Sequence, residues 1–259
     1  VGLHCHIGSQ IFAMQSFQHA TSIMMDFIAE VKKITGYEMV ELDMGGGFGI
    51  YYYPGDEPPD AEDWAQAVML TVESKAKELG LITPMVIVEP GRSIAGPAGI
   101  TLYTAGSVKE VKGIRKYLAV DGGMGDNPRP ALYDSQYTAI VANRANKTAV
   151  EKVSLAGKCC ESGDMLIWDI DLPTVVAGDI IAVFATGAYN YTMSSNYNRL
   201  PRPAMVLVNN GSADLILKRE TYEDLIRNTT ILISILPEGP ALVIIFCIQG
   251  IGYFPGGTV

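Results

Sequence analysis

Three short apolar runs, Val1 to Ile7, Met39 to Met44 and Met85 to Val88, each stop at a polar or glycine-rich cluster that begins at Gly8, Gly45 and Glu89. Runs of this length bounded by turn residues read as buried strands. Between the first two, Ala20, Met24, Phe27, Ile28 and Val31 fall on one face of a helix that Gly36 closes. Between the second and third, Pro58 and Asp60 open a helix whose Trp64, Val68, Val72, Ala76 and Leu79 repeat at helical spacing before Gly80. Strand and helix in alternation predict parallel strands joined by right-handed crossovers, with all three polar clusters at the C-terminal edge of the sheet. That edge is where α/β folds place ligands. The unit recurs roughly every 40 residues, the stride of a (β/α) barrel, yet three units stand where a closed barrel has eight. Residues 1–99 are therefore expected to form a partial barrel lacking about five strands, with Val1 to Ile7 as an open edge. The sequence starts at Val1 without a methionine, and Val1 to His6 reads as a buried strand with no basic region or long apolar leader, so the chain is expected to begin inside a domain.

From Ile100 the pattern changes to alternating or β-branched runs: Ile100 to Val108, Tyr117 to Val120, Met165 to Ile170, Asp179 to Thr186 and Met205 to Val208. These predict a separate, mostly antiparallel β domain over residues 100–228, so the fold class is α/β plus all-β. Beyond Arg227 only Glu238 is charged, and residues 229–259 read as an atypical apolar tail whose Ala-Leu-Val-Ile-Ile-Phe-Cys-Ile core is too short for a membrane span.

With 48% apolar and 18% charged residues the chain is globular in composition, and its formal charge of -9 argues against a nucleic-acid partner. Cys5, Cys159, Cys160 and Cys247 show no even spacing, which suggests neither a disulfide framework nor a zinc motif and fits a reducing, cytoplasmic compartment.

The polar clusters carry the candidate chemistry. In His4-Cys5-His6-Ile7-Gly8-Ser9-Gln10 the two histidines lie on one side of an extended strand; with no third ligand and no paired carboxylate at metal spacing, no metal is expected there. Core histidines satisfied by hydrogen bonds are the plain alternative. Asp43-Met44-Gly45-Gly46-Gly47-Phe48-Gly49 brings backbone amides within reach of an anion, or is simply a tight turn. Glu89-Pro90-Gly91-Arg92 sets a carboxylate beside a guanidinium, able to recognise two opposite charges or to pair with each other.

In this order and stride the three clusters resemble the last three strands of the barrel of fold-type III pyridoxal-phosphate decarboxylases, the superfamily of alanine racemase and ornithine decarboxylase. Further motifs resemble its diaminopimelate decarboxylase branch: Arg129-Pro130-Ala131-Leu132-Tyr133, Cys160-Glu161-Ser162-Gly163-Asp164, Gly187-Ala188-Tyr189, and Met193-Ser194-Ser195-Asn196-Tyr197-Asn198 followed by Arg202-Pro203. The resemblance covers about Val1 to Leu225.

That resemblance implies pyridoxal 5'-phosphate as cofactor, with His6 stacked on its pyridine ring and Glu89 on the ring nitrogen. Ser9, Gly45, Gly46, Gly47, Pro90, Gly91 and Arg92 would surround the phosphate and Tyr189 would reach the cofactor. It further implies Arg92, Arg129, Tyr133 and Tyr189 on the far carboxylate of the substrate, Glu161 on its far ammonium group, and Cys160 as proton donor. The Cys160-Glu161 loop would come from the neighbouring subunit, so a homodimer with its active site at the interface is implied. The implied reaction is decarboxylation of meso-2,6-diaminopimelate to L-lysine, in lysine biosynthesis. A substrate ending in a bare amine has no use for two carboxylate-binding arginines, which weighs against ornithine, arginine or carboxynorspermidine. A non-catalytic remnant that pairs with an intact subunit is the reading of a different class.

One family feature is absent. The lysine that holds the cofactor covalently sits on an early barrel strand, and no lysine here has such a context. Lys32, Lys33, Lys75 and Lys77 are expected on solvated helix faces, and Cys159 as a small buried residue.

Overall fold

In the computed structural model, residues 2–229 are described. The chain runs β1 (Gly2–His4), α1 (Met14–Thr35), β2 (Glu41–Asp43), α2 (Ala61–Leu79), β3 (Met85–Ile87) and α3 (Gly91–Ala95). The three strands pair in parallel in the order β1-β2-β3, with Leu3 beside Leu42 and Leu42 beside Val86. These three side chains point to one face and join a core with Phe17, Met25 and Ile28 of α1 and Trp64, Val68, Val72 and Ala76 of α2. Both helices end on glycines in the left-handed conformation, Gly36 (φ 72°) and Gly80 (φ 64°), where a side chain is disfavoured. The strand–helix alternation is as the hydrophobic pattern predicts, and β1 is an edge strand.

Two details of these helices differ from expectation. The buried stripe of α1 is Phe17, Thr21, Met25 and Ile28, while Phe27 is 47% exposed. Thr21 breaks the apolar stripe in sequence but can be buried because its hydroxyl donates to the Phe17 carbonyl (2.8 Å). Lys75 is only partly solvated: its Nζ lies 2.6 Å from Asp26 Oδ1, tying α2 to α1, with 16% of the side chain exposed.

The second part comprises β4 (Thr101–Val111), β5 (Arg115–Val120), α4 (Arg129–Tyr133), β6 (Ala139–Val141), β7 (Glu151–Ala156), β8 (Met165–Leu172) and β9 (Ile180–Val183). These strands form one sheet in the order β6-β9-β4-β5-β7-β8, antiparallel except for β5 with β7. The terminal strands β6 and β8 approach within 8 Å between Cα atoms, so the sheet curls towards closure around Leu118, Leu155, Ile181 and Val141. Ile50 and Tyr52, from the segment after β2, are buried in this same core. A hairpin follows, β10 (Met205–Asn209) with β11 (Ser212–Leu217). Residues up to Glu220 make one compact unit. In a second, which starts at Thr221, α5 (Tyr222–Ile226) opens on a reciprocal cap between Thr221 and Asp224. The apolar tail expected over 229–259 lies, apart from Thr229, outside the described residues. Among those described, no helix is long and apolar enough to cross a membrane.

Asp179 fixes the turn before β9. It accepts from Asn143 Nδ2 (2.9 Å), from the Val176 amide (2.8 Å) and from the Arg144 guanidinium. The Arg144 hydrogen bonds are the largest influence holding its carboxyl down at about 2. A carboxylate depressed in the folded state adds stability that is complete above its unfolded value near 4 and disappears as pH falls through about 2. Arg144→Gln should therefore be less stable than the parent chain at pH 7, and the difference should close between about pH 4 and pH 2. Denaturant titrations at several pH values measure this, and a gap that stays constant down to pH 2 would contradict the pairing.

Candidate functional site

The parallel register brings the ends of β1 and β2 together, pairing His4 with Asp43, and β3 delivers Glu89 two residues past Ile87. His4 Nε2 lies 3.4 Å from Glu89 Oε2, and ligand-capable atoms of His4, Asp43 and Glu89 all fall within 4.8 Å of one another. The sequence offered no carboxylate at metal spacing from His4; the fold supplies two, from strands about 40 and 85 residues away. More than half of the His4 and Glu89 side chains is in solvent, so this is an open cluster, unlike a closed structural metal cage.

Beside it the glycine turn packs backbone against backbone. A Cβ on Gly45 would stand 2.5 Å from the Cys5 carbonyl oxygen, on Gly46 2.3 Å from that of Glu89, and on Gly47 2.2 Å from that of Gly8. Gly45 (φ 65°) and Gly47 (φ 96°) also need the left-handed region. The Gly45 amide donates to Asp43 Oδ1 (2.8 Å) and the Gly46 amide to His6 Nδ1 (3.3 Å).

Arg92, in the short α3, is 9% exposed. Its Nη1 donates to the Tyr52 hydroxyl (2.6 Å) and its Nη2 to Ser9 Oγ (2.7 Å), while its buried Nε has no partner. Its guanidinium carbon stands 4.8 Å from the centre of the Tyr189 ring and 5.6 Å from that of Tyr52. Arg129, 6% exposed at the start of α4, lies over the other side of this cluster. Its Nη1 donates to the Tyr137 hydroxyl (2.6 Å), and its guanidinium carbon is 5.0 Å from the Tyr52 ring centre. Neither arginine has an acidic partner among the described ion pairs. Two buried cations without a counter-charge are costly unless the site is built for an anion.

An open cavity of about 660 Å³ runs past these groups. Of the sequence-predicted residues it gathers His6, Ser9, Gly47, Arg92, Arg129, Tyr133 and Tyr189. Gly45, Gly46, Glu89, Pro90 and Gly91 are not among the residues that line it; a Cβ on Gly91 would come 3.9 Å from the Tyr189 hydroxyl. Tyr52, Tyr53, Gln10 and Asp56 also line it, and the sequence reading assigned them nothing. The Tyr51-Tyr52-Tyr53 run before Pro54-Gly55 was the available signal.

Cys160 and Glu161 are exposed in the loop between β7 and β8 and do not line this cavity. The loop is clasped from beneath by Asp164, 3% exposed, which accepts from the amides of Met124 (2.6 Å) and Cys159 (2.7 Å). Cys159 is only partly buried. Burial first, and then the Asp164 charge, push its thiol up to about 11. Iodoacetamide at pH 7.5 should therefore label Cys160 well before Cys159, read by fragmentation mass spectrometry; equal labelling would contradict the clasp.

The site fits a phosphorylated pyridine in two respects. Gly47 brings backbone without a side chain to the cavity wall, and Arg92 and Arg129 line the same cavity with no acidic partner among the described ion pairs. Among the described residues no lysine lines the cavity.

Comparison with known proteins gives these features a lineage. Residues 1–96 match the family described as the pyridoxal binding domain of pyridoxal-dependent decarboxylases. The diaminopimelate decarboxylase of Bacillus subtilis (strain 168) is 53% identical over 227 residues, covering 88% of this chain and 52% of that protein. That of Synechocystis is 50% identical over 228 residues, covering 88% and 48%. A crystal structure of the diaminopimelate decarboxylase of M. jannaschii in complex with L-lysine superposes with a TM-score of 0.82 at 40% identity, covering 89% of this chain and 52% of that one. The chain spans about half the length of the curated relatives it matches. Residues 1–96 thus resemble the pyridoxal binding domain of the pyridoxal-dependent decarboxylases, and over 88% of its length the chain is a homologue of diaminopimelate decarboxylases.

Proposed function

We propose that this chain provides the carboxylate-reading and phosphate-cradling side of a site that decarboxylates meso-2,6-diaminopimelate to L-lysine. The observation that carries the reading is the pair of buried guanidiniums, Arg92 and Arg129, facing one cavity with no acidic partner among the described residues. A substrate with a second carboxylate satisfies them; ornithine and the diamines do not. Relatives crystallised with L-lysine support the same substrate class.

Pyridoxal phosphate, the cofactor of this family, supplies an electron sink for the electron pair left when carbon dioxide departs. In this reading Ser9, Gly45, Gly46, Gly47, Pro90, Gly91 and Arg92 surround its phosphate. His6 stacks on its ring, Glu89 faces the ring nitrogen, and Tyr189 closes over it. Arg92, Arg129, Tyr133 and Tyr189 hold the far carboxylate. Cys160, as proton donor, and Glu161, on the far ammonium group, act on the site of a second copy, which their exposure away from this cavity allows. A cytoplasmic homodimer, divided into a cofactor-binding part at 1–99 and a β part at 100–228, completes the proposal. The amine that bonds the cofactor lies outside the residues gathered here.

The test joins this chain to the half of the B. subtilis relative that it does not match and measures carbon dioxide release. Release from meso-diaminopimelate, with ornithine at least about 100-fold slower in kcat/KM, is expected. Release from ornithine alone would overturn the substrate. A folded, cofactor-loaded fusion inactive on both would leave pairing with an intact subunit as the better account.

A further inference from the structure

We propose that Tyr52 is a carboxylate-binding residue: its hydroxyl accepts a hydrogen bond from Arg92 and gives its own proton to a ligand carboxylate held beside Arg92 and Arg129. This rests on the reading of the cavity as a carboxylate site and adds to it a residue that the sequence motifs leave out.

Tyr52 is 5% exposed, yet it lines the cavity. Its backbone is held from two sides. The Gln10 side-chain amide donates to the Ile50 carbonyl (2.6 Å) and accepts from the Ile50 amide (3.1 Å), as a neighbouring strand would. Asp56 Oδ2 accepts from the amides of Tyr52 (2.9 Å) and Tyr53 (3.3 Å). The ring is fixed in turn, edge-on to Tyr137 at 5.3 Å and flanked by both guanidiniums.

The direction of the Arg92 hydrogen bond follows from chemistry. A guanidinium has donors only, so at 2.6 Å the Tyr52 oxygen must accept, and its single proton is left to point elsewhere. No acceptor for that proton is found among the described hydrogen bonds. Arg92 Nε is likewise buried without an acceptor. Around one space the cavity wall brings the guanidiniums of Arg92 and Arg129 and the Tyr52 hydroxyl, while Asp56, the carboxylate on that wall, accepts from the Tyr52 and Tyr53 amides; the set is the complement of a carboxylate. The hydrogen bond from Arg92 also polarises the Tyr52 hydroxyl and strengthens it as a donor.

Tyr52→Phe keeps the ring, its packing and both guanidinium contacts, and removes only the hydroxyl. Titration calorimetry with pimelate, a seven-carbon dicarboxylate, and with cadaverine, a diamine without carboxylates, separates the possibilities. For Tyr52→Phe the dissociation constant of pimelate should rise roughly 10-fold or more with that of cadaverine unchanged, while the melting temperature falls by no more than about 5 °C because the buried Arg92 Nη1 loses its acceptor. Unchanged pimelate binding in Tyr52→Phe, with weaker binding in Arg129→Met, would overturn the role of Tyr52 and leave the carboxylate site standing. Equal weakening for pimelate and cadaverine, or loss of folding, would make Tyr52 merely structural and overturn it as well. If the parent chain binds no pimelate at about 10 mM, or neither variant weakens it, the carboxylate reading fails and the inference with it.

Discussion

Arg129→Met is expected to weaken pimelate binding by on the order of 100-fold or more while leaving the melting temperature of the free chain unchanged or higher. Both effects have one cause. Arg129 is buried, stacks over Tyr52 and Tyr137, and donates to the Tyr137 hydroxyl, but makes no ion pair among the described ones. The free chain therefore carries the desolvation of a guanidinium that only an anionic ligand offsets. Methionine fills similar volume and asks for no counter-ion. Removing one member of a buried, hydrogen-bonded charge pair costs roughly 2 to 5 kcal/mol of binding, which is a factor of tens to thousands. Calorimetry and a thermal melt on the same preparation read both numbers. A clear fall in melting temperature with pimelate affinity intact would show that Arg129 serves the fold and not the cavity.

The parallel strands and two long helices were legible because apolar residues recur at helical spacing between the apolar runs and each helix ends on a glycine, Gly36 and Gly80. β6, β7 and β11 were not. Ala139–Val141 is only three residues long, and Glu151–Ala156 and Ser212–Leu217 mix polar and apolar positions without clean alternation. The same division holds at the site. Gly45 to Gly47 and Arg92 close apolar runs and announce themselves, whereas Tyr52 acquires its role from partners brought together only by folding, Arg92 being 40 residues away. His4 likewise meets Glu89 only across the strands. Residue spacing along one strand cannot report contacts that the sheet register creates.

Gly187 shows how closely the segment after β9 packs on the segment after α3, and its substitution should give a large loss of stability. A Cβ there would lie 1.8 Å from the Ala95 carbonyl oxygen, and one on Gly99 would lie 2.2 Å from the Gly187 nitrogen. The two segments are joined by hydrogen bonds from the Gly187 amide to the Gly96 carbonyl (3.1 Å) and from the Thr186 amide to the Gly99 carbonyl (3.0 Å). A methyl group has no flexible side chain to displace, so the backbones themselves must part. Overpacking of this kind costs roughly 3 kcal/mol, which for a chain of this size lowers the melting temperature by about 6 to 12 °C. The site should feel it too. Ala95 ends the helix that carries Arg92, and Tyr189, two residues beyond Gly187, holds its ring over that guanidinium at 4.8 Å. Gly187→Ala should therefore melt lower and bind pimelate more weakly. Gly163→Ala, where nothing lies within 4 Å of the added carbon, should change neither. If Gly187→Ala melts within about 2 °C of the parent chain, the close approach of these segments is not what holds them in place.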